Sequence, residues 1–214
     1  MRKQFDLVAT RLDVAQEAIP ALTAILSECE RQRAGRFRFD QDRRRFIVCR
    51  ATLRMQLSAR LGVRPEEIEL VYGKQGKPAL GGGLADSGLR FNVSHCDDLA
   101  VYAFTRGRNI GVDVEAVRWF ADAGDVAARF FSTAENEVYA SLDSLDKPSG
   151  FFNCWTRKEA FIKAIGDGLH HPLHSFDVSL APNERPKISR VSGWEIESFV
   201  PAPGFVGAVV TEKT

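Results

Sequence analysis

The sequence has few cysteines, no long apolar run and almost no excess of charge of either sign. No segment reaches the roughly 20 apolar residues that a membrane-spanning helix needs. In the opening stretch, Met1 to Val8, Asp6 interrupts any signal-like apolar core, and we expect a strand there. A net charge of +1 gives no general affinity for polyanions. Reduced thiols in the cytoplasm are expected, because metal-ligand spacing is lacking among the four cysteines, Cys29, Cys49, Cys96 and Cys154.

The composition is that of a chain able to bury a good core. Of 214 residues, 44% are hydrophobic and 27% charged, which suits one or two small domains, and the hydrophobic pattern predicts mixed α and β structure. Loops are predicted at Gly73–Pro78 and Gly81–Gly83. The predicted helices are Ile19 to Glu30, Arg43 to Leu61, a stretch near Val126 to Phe130, and segments on either side of Asp143 to Ser149. The predicted strands are Phe5 to Leu12, Ile68 to Tyr72, Leu89 to Val93, Ala100 to Thr105, Ile110 to Glu115, Phe176 to Leu180, Trp194 to Val200 and Val206 to Thr211.

The segment Ile110 to Glu115 places two acids on one face of a strand. Because side chains alternate along a strand, Asp113 and Glu115 point the same way, about 6.5–7 Å apart, while Val112 and Val114 point the other way. Two like charges on one face repel each other unless a cation or a raised pKa relieves them, and hard oxygen ligands at this spacing suit Mg²⁺. An exposed strand edge with two solvated carboxylates is the alternative.

A second group of charges lies in the predicted helix around Trp155 to Lys163. At about 100° per residue, an apolar stripe runs along this helix, and Lys158 falls inside it, where an ammonium needs a partner. Glu159 lies at the edge of the stripe, one turn before Lys163. A Glu-to-Lys surface pair would account for Lys163 but not for Lys158. The stripe consists of Phe151, Trp155, Ile162 and Ile165.

Together these groups supply three carboxylates and two lysines. Mg²⁺ commonly binds through a few carboxylates and the phosphate oxygens of a substrate. The set therefore has the ingredients for holding a metal ion and a bridging diphosphate.

The two segments resemble the paired signature of the 4'-phosphopantetheinyl transferases, in their longer, single-chain surfactin-synthetase-activator type. Three further segments match in the family's order and spacing, so that the resemblance runs from about residue 30 to about residue 180. One such motif is a weak signal, whereas five in register are a strong one. The five are Gly76–Pro78, Phe91–His95, Gly111–Glu115, Arg129–Glu135 and Trp155–Lys163.

The resemblance implies an α+β fold with two similar α/β halves, related by a pseudo-two-fold axis, and coenzyme A between them. Residues 1–107 would form the half that contacts the adenine and 3'-phosphate. Residues 108–214 would form the half that holds the metal and the diphosphate.

The resemblance also implies a reaction. Coenzyme A binds with Mg²⁺, or alternatively Mn²⁺, and a serine hydroxyl of an apo acyl or peptidyl carrier protein attacks the β-phosphate. Adenosine 3',5'-bisphosphate leaves and the carrier gains the phosphopantetheine group. The chain would be a cytoplasmic monomer, and its partners would be carriers of fatty-acid, polyketide or nonribosomal-peptide synthases, as in secondary metabolism. Positioning and charge stabilisation do most of the work in such a transfer.

Site residues follow from the matching positions. The metal-binding acids fall on Asp113, Glu115 and Glu159, and the lysine that contacts the diphosphate falls on Lys163. The neighbouring lysine of the motif, Lys158, is expected among the cofactor-binding residues without a defined role.

The remaining cofactor contacts come from two other motifs. Ser94 and His95 match a pair at a strand end that touches the phosphates, where a hydroxyl and an imidazole can both donate. Lys77 matches an adenine-side lysine. A structural histidine is the alternative for His95.

The general base has three candidates: Glu159, Glu135, which matches an acid proposed for that task in relatives, and a metal-bound water. A metal ligand is acidified by its cation, which favours a base outside the set of ligands.

An arginine-rich run could be a solvated face, a nucleic-acid patch or a phosphate clamp. The family's contacts to the 3'-phosphate fall on Arg33 and Arg45, and the guanidinium fork suits a phosphate monoester. A further family lysine falls on Glu30, a departure for which Arg31 is the substitute. The run comprises Arg31, Arg33, Arg36, Arg38, Arg43, Arg44, Arg45 and Arg50.

Two further stretches carry alternatives. Val117 to Gly124 lies where relatives receive the carrier protein, so Trp119 and Phe120 are either carrier contacts or core residues. The histidines at positions 170, 171 and 174 belong to a solvated loop or, with a fourth ligand, to a metal site. We expect the loop, with Gly168 ending the preceding helix.

Two other classes of protein compete with a transferase. One is a catalytically silent module that binds coenzyme A or a carrier, which would need no three-carboxylate metal site. The other is a nucleic-acid-binding protein that uses the arginines, which few aromatic stacking groups accompany. The intact acidic set favours the transferase.

Overall fold

The computed structural model describes residues 5–213, without the side chain at position 169; part of the stretch Met1 to Val8 therefore lies outside the described residues. Six α-helices lie within the described range: α1 Ile19–Ala24, α2 Glu28–Ala34, α3 Asp40–Leu61, α4 Ala123–Phe130, α5 Thr133–Ser141 and α6 Lys147–Ile165. The ten strands of the same range are β1 Asp6–Arg11, β2 Leu70–Tyr72, β3 Pro78–Leu80, β4 Leu89–Cys96, β5 Leu99–Arg106, β6 Ile110–Ala116, β7 Asp177–Val178, β8 Ile188–Ser189, β9 Trp194–Phe199 and β10 Phe205–Glu212.

Two three-stranded antiparallel sheets form the frame of the molecule, and they share one topology. The first has the order β1-β5-β4 and the second β6-β10-β9. In the first sheet β1 pairs with β5 and β5 with β4; in the second, β6 pairs with β10 and β10 with β9. In each sheet a long helix, α3 or α6, precedes the hairpin formed by the last two strands. The α+β class and the repetition of one α/β arrangement are thereby confirmed. Two small hairpins, β2-β3 and β7-β8, complete the strands described.

The core lies in three places: between α3 and the first sheet, between the two sheets, and between the second sheet and α6. The strand β5 contributes to the first two. Its alternate residues face opposite sides, as strand geometry requires. Tyr102 and Phe104 pack against the apolar face of α3, while Val101 and Ala103 pack against Val112 and its neighbours from the second sheet. Since both faces of β5 are covered, the strand is buried along nearly its whole length. The second sheet is covered on its far side by α6.

The predicted single helix Ile19 to Glu30 is wrong, because non-helical residues separate α1 from α2. Ser27 is the N-cap of α2: its hydroxyl accepts from the Glu30 amide, and the Glu30 carboxylate accepts from the Ser27 amide. This reciprocal pair is a capping box, which satisfies two amide donors at a helix start. Pro78, which the predicted loop Gly73–Pro78 included, instead begins β3, which pairs with β2.

Two glycines end the long helices in the left-handed conformation that favours glycine. Gly62, with φ of 70°, follows α3, and Gly166, with φ of 87°, follows α6. The prediction that Gly168 ends the second helix is therefore wrong by two residues. None of the helices within residues 5–213 has the length and apolarity needed to cross a membrane.

Candidate active site

A cavity of about 660 Å³ is lined by residues of β4, α2, α3 and the turn before β3, and by residues at the end of α6. Five basic side chains that the sequence marks as cofactor contacts meet on its wall, although they come from five different stretches of the chain. Four of them come from α2, α3, the turn before β3, and β4, and the fifth comes from α6. They are Arg33, Arg45, Lys77, His95 and Lys163.

Next to this cavity, Asp113 is buried on the face of β6 that points at α6. Its carboxylate is 3% exposed. One oxygen, Oδ1, accepts hydrogen bonds from the Ser94 hydroxyl at 2.7 Å and the Lys163 ammonium at 2.5 Å, and that ammonium also donates to Ser94 Oγ at 3.0 Å. The other oxygen, Oδ2, is buried without a hydrogen-bond partner. A buried acceptor without a donor is costly, so Asp113 is suited to a positive ligand.

Glu115 and Glu159 complete the acidic cluster. The pKa of Glu159 is raised to about 7, mainly by burial; the charge of Lys163 lowers it, and the charges of Asp113 and Glu115 add to the rise. Burial likewise raises the pKa of Glu115, with Asp113 adding to the effect. These shifts arise because three carboxylates share a partly dry space with one ammonium. Such a donor set fits a hard cation.

The close approach of α6 to β6 depends on Gly111. A Cβ atom at that position would lie 2.0 Å from the carbonyl oxygen of Ala160 and 2.3 Å from the amide nitrogen of Ala164. Glycine therefore lets the helix lie directly on the strand. Because side chains alternate, Gly111, Asp113 and Glu115 share the face towards the helix that carries Glu159 and Lys163.

Lys158 and Glu135 lie elsewhere, in a fully buried ion pair. Lys158 is 0% exposed, and its ammonium contacts Glu135 Oε2 at 2.8 Å and the carbonyl oxygens of Leu173 and Phe176 at 2.6 and 2.8 Å. At about 100° per residue, Lys158 and Lys163 point about 140° apart around α6. The structure thus supplies the partner that Lys158 requires, and it places both members of the pair in the core rather than on the cavity.

Both carboxylate oxygens of Glu135 accept hydrogen bonds within the core. Its Oε2 also accepts from the Ser132 amide at 2.7 Å, where it closes the capping box of α5, and its Oε1 accepts from the Val178 amide at 2.7 Å. The carboxylate therefore joins α5, α6 and β7. This is the geometry of a structural ion pair.

The arginines of the run separate into two groups. Arg33 and Arg45 line the cavity, Arg45 in a bidentate pair with Asp13 at 2.7 and 2.8 Å. Arg31 instead donates to Glu28 and to a backbone carbonyl, away from the cavity. Arg31 does not substitute for the missing lysine at this wall. Two of the remaining arginines of the run, Arg43 and Arg44, pair with Asp40. Outside the run, Arg54 pairs with Glu30 in the core.

Sequence reasoning missed Arg50 as a member of the site. Its guanidinium lies over the rings of Phe46 and Tyr72, 5.6 and 5.7 Å from their centroids, and Arg33 lies 5.3 Å from the Phe46 centroid. Arg50 lines the same cavity as Arg33. The signal that could have identified it is its place on α3 one turn after Phe46, because residues four apart lie on the same helix face, and Phe46 lines the same cavity.

Lys77 and His95 differ in how freely they face the cavity. The Lys77 ammonium donates to three backbone carbonyls, those of Ile110, Lys163 and Ala164. Burial lowers its pKa to about 8, so that it still carries its charge at pH 7. Burial also lowers the pKa of the His95 imidazole, and the positive charge of Lys163 lowers it further.

Outside the cavity, the two expected carrier contacts differ in exposure. Trp119 is 77% exposed, whereas Phe120 packs edge-on against Phe151, with ring centroids 4.9 Å apart. Of the histidines, His171 pairs with Asp167 at 3.4 Å. Within the residues described, no three acidic, histidine or cysteine side chains stand close enough to form a ready metal site, the acidic cluster included.

Two family models match the chain. The model of the 4'-phosphopantetheinyl transferase superfamily matches residues 109–209, and that of the N-terminal region of 4'-phosphopantetheinyl transferase matches residues 14–106. Between them they cover most of the two three-stranded sheets, with β1 lying before the first match.

Curated relatives agree along most of the chain. The 4'-phosphopantetheinyl transferase HetI of Nostoc sp. is 40% identical over 198 residues, which are 92% of this chain and 83% of the relative. The 4'-phosphopantetheinyl transferase Sfp of Bacillus subtilis is 29% identical over 167 residues, covering 78% and 72%. A solved holo-(acyl-carrier-protein) synthase of Bacillus anthracis is 19% identical and covers 50% of this chain and 96% of its own, with a TM-score of 0.42. The family assignment rests on the curated relatives and not on this partial likeness.

Proposed function

The chain belongs to the 4'-phosphopantetheinyl transferase superfamily, and on that premise we propose that it transfers the 4'-phosphopantetheine group of coenzyme A to a serine of an apo acyl or peptidyl carrier protein. The other product is adenosine 3',5'-bisphosphate. One observation carries the proposal: a cavity with basic side chains from α2, α3, β4 and α6 opens, at Lys163, onto a buried acidic cluster. Such a site can hold a nucleotide diphosphate at one side and a cation at the other.

Coenzyme A would lie in the cavity with its parts distributed between the elements around the first sheet and the end of α6. Arg33, with Arg50 beside it, is suited to the 3'-phosphate, because a guanidinium fork binds a phosphate with two parallel hydrogen bonds. Arg45, whose Nε and Nη2 pair with Asp13, would contact the phosphate through Nη1. His95 and Lys163 lie towards the acidic cluster and are suited to the diphosphate. Residues 1–107 would thus serve the nucleotide, and residues 108–214 the metal and the diphosphate.

Asp113, Glu115 and Glu159 would hold Mg²⁺, with Mn²⁺ as the alternative ion. The unpartnered Asp113 Oδ2 and the raised pKa values of the two glutamates support this, since both features are relieved by a cation. When bound, the ion would neutralise charge that develops on the diphosphate oxygens. The Lys163 ammonium now neutralises Asp113 and would contact the diphosphate from the same position.

The carrier serine must lose a proton as it attacks. Of the two side chains considered, Glu135 is held in the core by three donors, whereas Glu159 belongs to the acidic cluster beside the cavity. Glu135 is therefore not the proton acceptor of this proposal, which leaves Glu159 or a water on the metal ion that Glu159 would help to hold. Lys158 and Glu135 instead fix α6 in place.

The carrier protein would approach on the side of the segment 117–124. Trp119 is an exposed aromatic side chain of the kind enriched at protein interfaces. Acyl and peptidyl carriers of fatty-acid, polyketide or nonribosomal-peptide synthases are the partners of this proposal, with the chain acting as a cytoplasmic monomer. A nucleic-acid partner is disfavoured because several arginines of the run that lie outside the cavity, Arg31, Arg43 and Arg44, are already paired with acids.

Intact-protein mass spectrometry tests the transfer directly. An apo carrier domain is incubated with the protein, coenzyme A and Mg²⁺, beside Glu159→Ala and EDTA controls. We expect the carrier to gain one phosphopantetheine group, and the gain to disappear in both controls. If fatty-acid, polyketide and peptide carriers all stay unmodified while coenzyme A still binds, the protein is a silent binding module and the proposal fails.

A further inference from the structure

The ammonium of Lys77 is fully occupied by backbone carbonyls. Its nitrogen lies 3.0 Å from the oxygen of Ile110, 2.5 Å from that of Lys163 and 3.2 Å from that of Ala164. A lysine ammonium has three N–H donors and no acceptor. All three donors are therefore used within the protein, and none is left for the adenine contact that the sequence predicts for this residue.

The three carbonyls belong to the two elements that carry the acidic cluster. Lys163 and Ala164 lie in the last turn of α6, where carbonyl oxygens lack amide partners within the helix. A cation there satisfies them and interacts favourably with the helix dipole. Ile110 is the first residue of β6, three residues before Asp113. The Lys77 side chain, from the β2-β3 hairpin, thus holds the end of α6 against the start of β6.

The turn that presents Lys77 is itself well defined. It joins β2 to β3, and it is closed by hydrogen bonds from the Gly73 amide to the Lys77 carbonyl and from the Gly76 amide to the Gly73 carbonyl, at 3.0 and 2.9 Å. Gly76 has φ of 75°, which glycine adopts without strain. Beyond α6, Gly168 lies against Gln75 of the same turn, since a Cβ at Gly168 would be 3.2 Å from the Gln75 side chain.

We propose that Lys77 is a positioning residue that clasps the turn 73–78 to α6 and β6 and so keeps the Lys163 ammonium on Asp113. The clasp acts through the backbone of Lys163, whose own side chain makes the 2.5 Å contact with Asp113 Oδ1. It joins the small β2-β3 sheet to the second half of the chain, because the turn lies between β2 and β3 and its targets lie on α6 and β6. The expected effect on transfer rests on the proposed function, whereas the expected effects on structure and nucleotide binding do not.

The test compares Lys77→Met, which keeps the chain length without the donors, with Lys77→Arg, which keeps charge and donors. The matched control is Lys74→Met, an exposed lysine of the same turn. Three quantities are measured in the full-length protein: the Kd for adenosine 3',5'-bisphosphate, the kcat and KM of transfer, and amide hydrogen exchange in the last turn of α6.

For Lys77→Met we expect faster exchange at Ala164 and Gly166, a Kd within about threefold of wild type, and a kcat about 10²-fold lower, because small misplacements of reacting groups have effects of that size. Lys77→Arg should shift exchange and kcat in the same direction by less, and Lys74→Met should match wild type.

Two results would overturn the clasp. A Kd for the bisphosphate more than tenfold weaker in Lys77→Met, with kcat and exchange unchanged, would return Lys77 to the adenine contact. Unchanged exchange at the end of α6 in both variants would show that the three hydrogen bonds do not hold the helix. If Lys77→Met does not fold, Lys77→Arg gives the same comparison. A wild-type protein that transfers nothing, while the exchange results hold, would reject the proposed function and leave the clasp standing.

Discussion

Replacing Glu135 with glutamine should lower the stability of the protein and affect catalysis only through folding. The Glu135 carboxylate accepts from two backbone amides, each at 2.7 Å, and from the Lys158 ammonium at 2.8 Å. A glutamine amide offers one acceptor oxygen and one NH₂ group, so at least one of the three donors in Glu135→Gln would face another donor.

The size of the effect follows from burial. Lys158 is 0% exposed, so Glu135→Gln leaves an ammonium in the core with neutral partners alone. Removing one partner of a buried ion pair typically costs about 3–5 kcal/mol. For a chain of this length, that corresponds to a fall in Tm of about 6–20 °C. Lys158→Met should cost about as much, and the double variant should recover about 2 kcal/mol of the sum.

Urea unfolding followed by circular dichroism measures these free energies, with Glu137→Gln on the exposed side of α5 as the matched control. The control should stay within about 0.5 kcal/mol of wild type. Transfer by the folded fraction of Glu135→Gln should keep most of the wild-type kcat. A variant with wild-type stability and no transfer would refute the argument and make Glu135 the general base.

Three further outcomes are expected. Gly111→Ala should destabilise the protein by about 1–3 kcal/mol in urea, since the new methyl meets the Ala160 carbonyl, whereas Gly124→Ala, with no atom near its Cβ position, should not destabilise it. Equal stability of the two variants would show that α6 can shift freely. Trp119→Ala should leave the unfolding free energy within about 0.5 kcal/mol of wild type and raise the KM for the carrier; an unchanged KM places the carrier elsewhere. Arg50→Met should weaken binding of adenosine 3',5'-bisphosphate about tenfold in calorimetric titration, because a hydrogen bond to a charged group contributes about 1.5–3 kcal/mol. Unchanged affinity would remove Arg50 from the nucleotide site.

Several features followed from the sequence because they depend on local geometry. The alternation of a strand puts Asp113 and Glu115 on one face wherever the strand lies. The period of a helix puts Lys158 into an apolar stripe, and its burial follows. The break before α2 was equally local: Ser27 followed by Glu30 is a capping box, and that signal was overlooked.

Other features were decided by the tertiary structure alone. The sequence showed that Lys158 needs a partner, but only the packing of α5 on α6 supplies Glu135. Motif matching assigned Lys77 to a ligand, yet its donors are occupied by carbonyls 33 to 87 positions away in the chain. The repeated topology of the two sheets is likewise absent from the residue pattern, because strand order depends on pairing between distant segments. Local periodicity fixes which way a side chain points along its own element, whereas the partner that it meets is fixed by how the elements pack.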